Sequence, residues 1–299
     1  MNAQPAASPH LHARRAVLLM LAAVLVFALM DVGLKTLSAH YPPFQVALLR
    51  GASSLPLVLA WALATRGARD LLRVRWPLHL LRGVLGVMMM AAFVYALRTL
   101  PLSTAYTIFF VGPLLITALS VPILGERVGP RRWTAIAIGM AGVIVVMRPS
   151  GAGFASWAGL AVLVSALGYA LSALTVRVLA RTDSTQSMVV WLMALISLGA
   201  GVLAWPQWVP LRGADLAVIA GIGVAGALGQ WAITEAFRLG EASLLAPLEY
   251  TALLWGIIFD LSLWGVLPDA WTWVGGAIII ASGLYLLRRE RVHDVAEHP

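Results

Sequence analysis

Ten separate stretches of this chain are apolar for long enough to cross a lipid bilayer, and little else can be built from them. A spanning helix needs about 20 mostly apolar residues. Such runs lie near 16–36, 44–65, 77–97, 101–124, 132–147, 157–180, 184–205, 215–237, 242–264 and 270–287. In hydrocarbon every backbone N–H and C=O must be satisfied within its own segment, which selects helix. The connections are short and leave no room for a soluble domain. Composition agrees: 61% of the 299 residues are hydrophobic and 11% charged, against about 25% charged in soluble domains. A soluble enzyme, a secreted disulfide scaffold and a disordered chain are excluded. With no cysteine, thiolate catalysis and Cys-ligated zinc or iron–sulfur sites are excluded too.

The basic residues set the orientation. With the N-terminus inside, fifteen Lys and Arg fall on inner segments, among them Arg14, Arg15, Arg66, Arg127, Arg181 and Arg288. Four (Lys35, Arg98, Arg148 and Arg212) fall on outer ends, and Arg50 and Arg82 lie within spans. This positive-inside asymmetry predicts two cytoplasmic termini and accounts for the net charge of +8 without a nucleic-acid partner. Nine of the twelve tryptophans sit near predicted helix ends, as an interfacial belt requires; Trp191, Trp231 and Trp255 do not. The first run is longer than the 7–15 residues or so of a signal-peptide core and carries Asp31, so it reads as an uncleaved span.

The chain also repeats itself. A shift of 140 lays Gly83-Val84-x-Gly86 on Gly223-Val224-x-Gly226, Ala96-x-Arg98 on Ala236-x-Arg238, Ser103 on Ser243 and Gly125 on Gly265. A shift of 142 lays Phe27-Ala28-Leu29 on Tyr169-Ala170-Leu171. The expected fold is therefore all-α and integral to the membrane, its ten transmembrane helices forming two five-helix repeats at 14–148 and 156–289. A linker at 149–155 joins them, with disordered cytoplasmic tails at 1–13 and 290–299. Because five is odd, the second repeat enters the membrane from the opposite side. Inverted repeats are the architecture of alternating-access carriers, with the substrate site near the midplane between the halves.

Several motifs carry a family resemblance. The first half reads Tyr95-Ala-Leu-Arg-Thr-Leu-Pro-Leu-Ser-Thr-Ala, then Gly112-Pro113, Gly125-Glu126-Arg127, Trp133, Gly139-x-x-Gly142 and Arg148-Pro149. The second half answers with Ala236-Phe-Arg-Leu-Gly-Glu-Ala-Ser, Pro247, Tyr250, Gly276, Gly283 and Arg288-Arg289-Glu290. Over essentially its whole length the chain resembles the drug/metabolite transporter superfamily, in its ten-helix EamA-type branch, and within that the bacterial aromatic amino-acid exporters. Two positions depart from the pattern: Val266 stands at the repeat counterpart of Glu126, and Phe27-Ala28 replaces aromatic-Gly in the first span. The resemblance implies efflux of amino acids, aromatic and other neutral ones, or of similar small metabolites across the bacterial inner membrane, without ATP or cofactor. A broad drug effluxer and an integral membrane enzyme acting on lipids are the alternatives. Protons are a candidate coupling ion, and a monomer is compatible with everything here.

An amino-acid side chain in transit needs an apolar, aromatic pocket with few polar fixings. Tyr95, Tyr106, Phe109, Phe110, Tyr169, Gln230, Trp231 and Tyr250 lie within spans and form the candidate set, with Glu249 as the carboxylate that could meet an ammonium or a proton. Asp31 and Arg50 lie about 8–9 Å below the outer surface on adjacent helices and are expected to form an ion pair or gate, with Lys35 as a competing partner. Gly221-Ile-Gly223-Val-Ala-Gly226 matches a dinucleotide fingerprint literally but lies inside a span; its small residues read as a close helix contact. The six histidines lie in tails, a loop or near a helix end, and no metal site is expected.

Overall fold

The structure is a computed structural model that describes residues 9–65, 71–125, 128–147, 156–239, 245 and 248–297. Glu126 and Arg127, the 149–155 linker with Arg148, and Glu241, Ser243 and Pro247 lie outside the described residues. Among the described residues every regular element is helical. The α-helices are α1 (Pro9–Ser38), α2 (Pro43–Thr65), α3 (Trp76–Leu97), α4 (Leu102–Phe109), α5 (Gly112–Leu124), α6 (Pro130–Met147), α7 (Trp157–Leu179), α8 (Thr185–Ala204), α9 (Leu216–Leu239), α10 (Thr251–Trp264) and α11 (Ala270–Glu297).

Seven helical segments are long and apolar enough to cross a membrane, counting α4 and α5 as one; Trp133–Met147 and Ala270–Tyr285 are apolar but shorter. The expected ten are thus not reached by length alone. The run expected at 242–264 is helical at 248 and 249, turns at Tyr250 and resumes as α10. The expected tails are also shorter than composition suggests. α1 begins at Pro9 and α11 continues to Glu297, because Arg and Glu beyond the span are good helix formers.

The run at 101–124 is broken too. Phe110 and Val111 form a turn between α4 and α5, and Pro113 sits in the first turn of α5. Proline has no N–H to give to the carbonyl four residues back, so the ladder stops at Phe109 and restarts beyond. The break at Phe110 and the break at Tyr250 are 140 residues apart. So are Gly125 and Gly265, which close α5 and α10 with φ of 73° and 65°, a left-handed cap that glycine adopts without a Cβ clash.

Packing follows the same correspondence. α1 lies on α9 as α7 lies on α3, while α2 pairs with α8 and α6 with α11. Exchanging the first five runs for the second five maps this set of contacts onto itself. The G-x-G-x-x-G segment is a helix contact, as expected. A Cβ on Gly223 would meet the Ser53 backbone of α2 at 2.7 Å, and Ser54 Oγ donates to Gly223 O at 3.2 Å. The outward faces carry Leu18, Val84, Ile144, Leu198 and Val202, all exposed, as lipid-facing surfaces must be.

Candidate functional site

The two breaks face each other across a cavity of about 230 Å³. α1 contributes Val24, Phe27, Ala28 and Asp31. The first break contributes Tyr106, Phe109, Phe110 and Pro113. α7 gives Tyr169, α9 gives Ile233, and the second break gives Glu249, Tyr250 and Ala252. Two ring pairs join the halves across it: Phe109 with Tyr169 at 5.3 Å between centroids, and Phe110 with Tyr250 at 5.0 Å, edge to face. A helix broken at this depth turns consecutive aromatic side chains and freed carbonyls toward one space, which a continuous helix would distribute around its circumference.

Both ionisable groups that line the cavity are carboxylates. Asp31 Oδ2 accepts a hydrogen bond from Tyr106 Oη at 2.8 Å. Glu249 has no hydrogen-bond or ion-pair partner among the described residues. The Tyr250 hydroxyl is buried without a partner. A larger recess, about 340 Å³, lies between the start of α4, the end of α6 and the α10–α11 connection. Its lining includes no aromatic ring, and Asp269 there caps α11 through Thr272 N at 2.8 Å. Both cavities take residues from each half; the smaller is the one that lies at the two helix breaks and carries aromatic rings.

Six of the nine residues expected in the pocket line this cavity: Tyr106, Phe109, Phe110, Tyr169, Glu249 and Tyr250. Tyr95 and Trp231 do not; they point outward and are 43% and 40% exposed, the orientation lipid-facing aromatics adopt. Gln230 is half-buried and also off the lining. The expected Asp31–Arg50 ion pair does not form. Arg50 is turned toward sulfur, with Nε 3.4 Å from Met30 Sδ and Nη1 3.9 Å from Met193 Sδ. Depth along the helix was legible, and Asp31 and Arg50 remain electrostatic neighbours. Arg50, however, reaches Met30 of α1 and Met193 of α8, while Asp31 takes the Tyr106 hydroxyl of α4. Lys35 takes neither role: its Nζ donates to Leu100 O at 2.7 Å and lies 3.8 Å from Asp260 Oδ1.

Residues 14–148 and again 156–288 match the EamA-like transporter family. The chain belongs to this family. The EamA-like transporter is 31% identical over 284 residues to a riboflavin transporter of Vibrio cholerae, covering 93% of this chain and 95% of that one. It is 28% identical to the pseudopaline exporter CntI of Pseudomonas aeruginosa, covering 92% and 96%. The S-adenosylmethionine uptake transporter of Rickettsia prowazekii is 26% identical, covering 90% of each chain. A solved crystal structure 21% identical in sequence shares the fold with a TM-score of 0.64, over 92% of this chain and 98% of that one. The EamA-like transporter is thus a multi-pass membrane transporter of small molecules and not an enzyme.

Sequence reasoning missed one buried group beside the site. Asp260, fully buried in α10, accepts from Leu102 N at 2.9 Å, Ser103 N at 2.8 Å and Ser103 Oγ at 2.7 Å. It caps α4 from the other half, since Pro101 at the N-cap position has no side-chain acceptor. A lone acid inside the run Trp-Gly-Ile-Ile-Phe-Asp-Leu-Ser-Leu-Trp was the available signal. Its partners lie more than 150 positions away, which no local pattern reveals.

Proposed function

We propose that this chain is a secondary exporter of amino acids, aromatic and other neutral ones, or of similar small metabolites across the bacterial inner membrane. It works by alternating access, with both termini cytoplasmic and ten spans arranged as two inverted five-helix repeats, 14–148 and 156–289. The observation that carries this reading is the aromatic cavity built from the two helix breaks, one from each half, in a family of transporters. Tyr106, Phe109, Phe110, Tyr169 and Tyr250 supply broad ring faces for an apolar side chain. Glu249 supplies a lining carboxylate with no hydrogen-bond or ion-pair partner among the described residues, and with Asp31 it is where a coupling proton would be carried.

On α1, Lys35 lies one turn, about 6 Å, beyond Asp31 toward the expected outer end. Its contacts with Asp260 and Leu100 tie the two halves together there, and on this reading the conformation is the one closed to the outside. The test is counterflow in proteoliposomes with labelled phenylalanine, tryptophan, leucine and riboflavin. Preloaded vesicles should accumulate label above protein-free vesicles for at least one amino acid. Accumulation of riboflavin alone would reassign the cargo, and equal uptake with and without protein for every compound would overturn the transport reading.

A further inference from the structure

The charge of the cavity is one-sided. Asp31 and Glu249 face it, and among the described residues no Lys, Arg or His lines it. Of the two nearby buried cations, Lys35 is held by Leu100 O and Asp260, and Arg50, beside the sulfurs of Met30 and Met193, acts on Asp31 from outside the lining. The remaining walls combine Val24, Ala28, Pro113, Ile233 and Ala252 with six aromatic rings, whose quadrupole attracts cations. A zwitterion placed here would find Glu249 for its ammonium, but no donor cation for its carboxylate among the described lining residues. Water-poor surroundings strengthen both effects.

We propose that the cavity selects organic monocations with an aromatic body over the zwitterion and the anion of the same body, with Glu249 as the residue that sets this preference. The proposal rests on the transport reading above and ranks its cargo, placing aromatic amines and carboxyl-blocked amino acids ahead of the free amino acids. Asp31 contributes less, because its carboxylate already accepts the Tyr106 hydroxyl.

Four indoles that differ only at the end of the side chain test it: tryptamine, tryptophan, tryptophol and indole-3-propionate, titrated calorimetrically against the purified full-length protein at neutral pH. Tryptamine should bind at least about tenfold more tightly than tryptophan or tryptophol, and indole-3-propionate most weakly. Glu249→Gln should bring tryptamine to within about threefold of tryptophol, and Asp31→Asn should have the smaller effect. An unchanged melting temperature for each variant keeps a folding defect out of the comparison. Tryptophan binding as tightly as tryptamine, an unchanged ranking in Glu249→Gln, or no binding by any of the four would each overturn the charge rule. Counterflow would still report transport in those cases, so the two readings fail separately.

Discussion

Deep in the apolar run of α10, the Asp260 carboxylate receives three hydrogen bonds from the first half and stands 3.8 Å from Lys35 Nζ. Removing one partner of a buried charge pair strands the other. Asp260→Ala should therefore lower stability by about 3–5 kcal/mol, read as a drop in melting temperature in detergent. Adding Lys35→Met should recover about 1 kcal/mol of it, since the coupling energy of the pair no longer has to be lost twice. The equivalent polar contact at the other end of the bundle involves Asp183, in the connection between α7 and α8. Burial alone would raise its pKa, but hydrogen bonds from Thr182 Oγ1, His79 Nε2 and the Arg75 N–H outweigh that and hold it below the ordinary value of 3.8. A carboxylate with a depressed folded pKa stabilises fully above its unfolded value, and that stabilisation is lost as pH falls below it. Wild-type melting temperature should thus exceed that of Asp183→Asn at neutral pH and converge on it in acid below that value. Parallel pH profiles would contradict this.

The helices themselves were readable because each demands its own run of apolar residues, and the structure departs from that reading where side-chain facing matters. Pro113 announces the break between α4 and α5, and Pro247, three residues before Tyr250 in the sequence, is the signal for the break 140 residues later. Tyr95 and Trp231 were expected in the pocket because an aromatic residue in a span is compatible with either face. Successive residues on a helix differ by about 100° in direction, so depth can be counted from a sequence while the side it faces depends on which neighbour the helix meets. The same rule separates the glycines of α9. A Cβ on Gly223 would collide with the Ser53 backbone, whereas one on Gly221 meets nothing within 4 Å. Gly223→Ala should cost about 1–3 kcal/mol by forcing α9 off α2. Gly221→Ala should be neutral, or stabilising by up to about 1 kcal/mol through helix propensity, in the same melting assay.

For the molecule as a whole, the weak internal matches proved informative in combination: a near-constant offset pairs Phe110 with Tyr250 and Gly125 with Gly265, and these pairs share backbone geometry as well as spacing. What no offset could supply is contact between the halves, because Asp260 with Ser103 and Phe109 with Tyr169 join residues that neither repeat contains alone. That contact is testable in the intact protein, since the chain has no cysteine and a single introduced thiol is unique. Thr107, fully buried one turn below Ser103, should resist a membrane-impermeant maleimide as Thr107→Cys. In Asp260→Ala it should become reactive from the outer side, at a rate at least about tenfold higher, a shift of some 1.4 kcal/mol in the closed–open equilibrium. Equal reactivity in the two backgrounds would show that Asp260 does not hold that end shut.

The two-fold correspondence is broken at one place. Ser120 stands where the offset puts the counterpart of Asp260, and its hydroxyl turns back to Thr117 O within its own helix at 2.9 Å. The Asp260 carboxylate therefore has no acidic counterpart at the repeat-related position, and on the alternating-access reading the two orientations are held by different contacts. On that reading, a carrier held shut by unequal clasps has states of unequal energy and rectifies: equal gradients of opposite sign drive unequal fluxes.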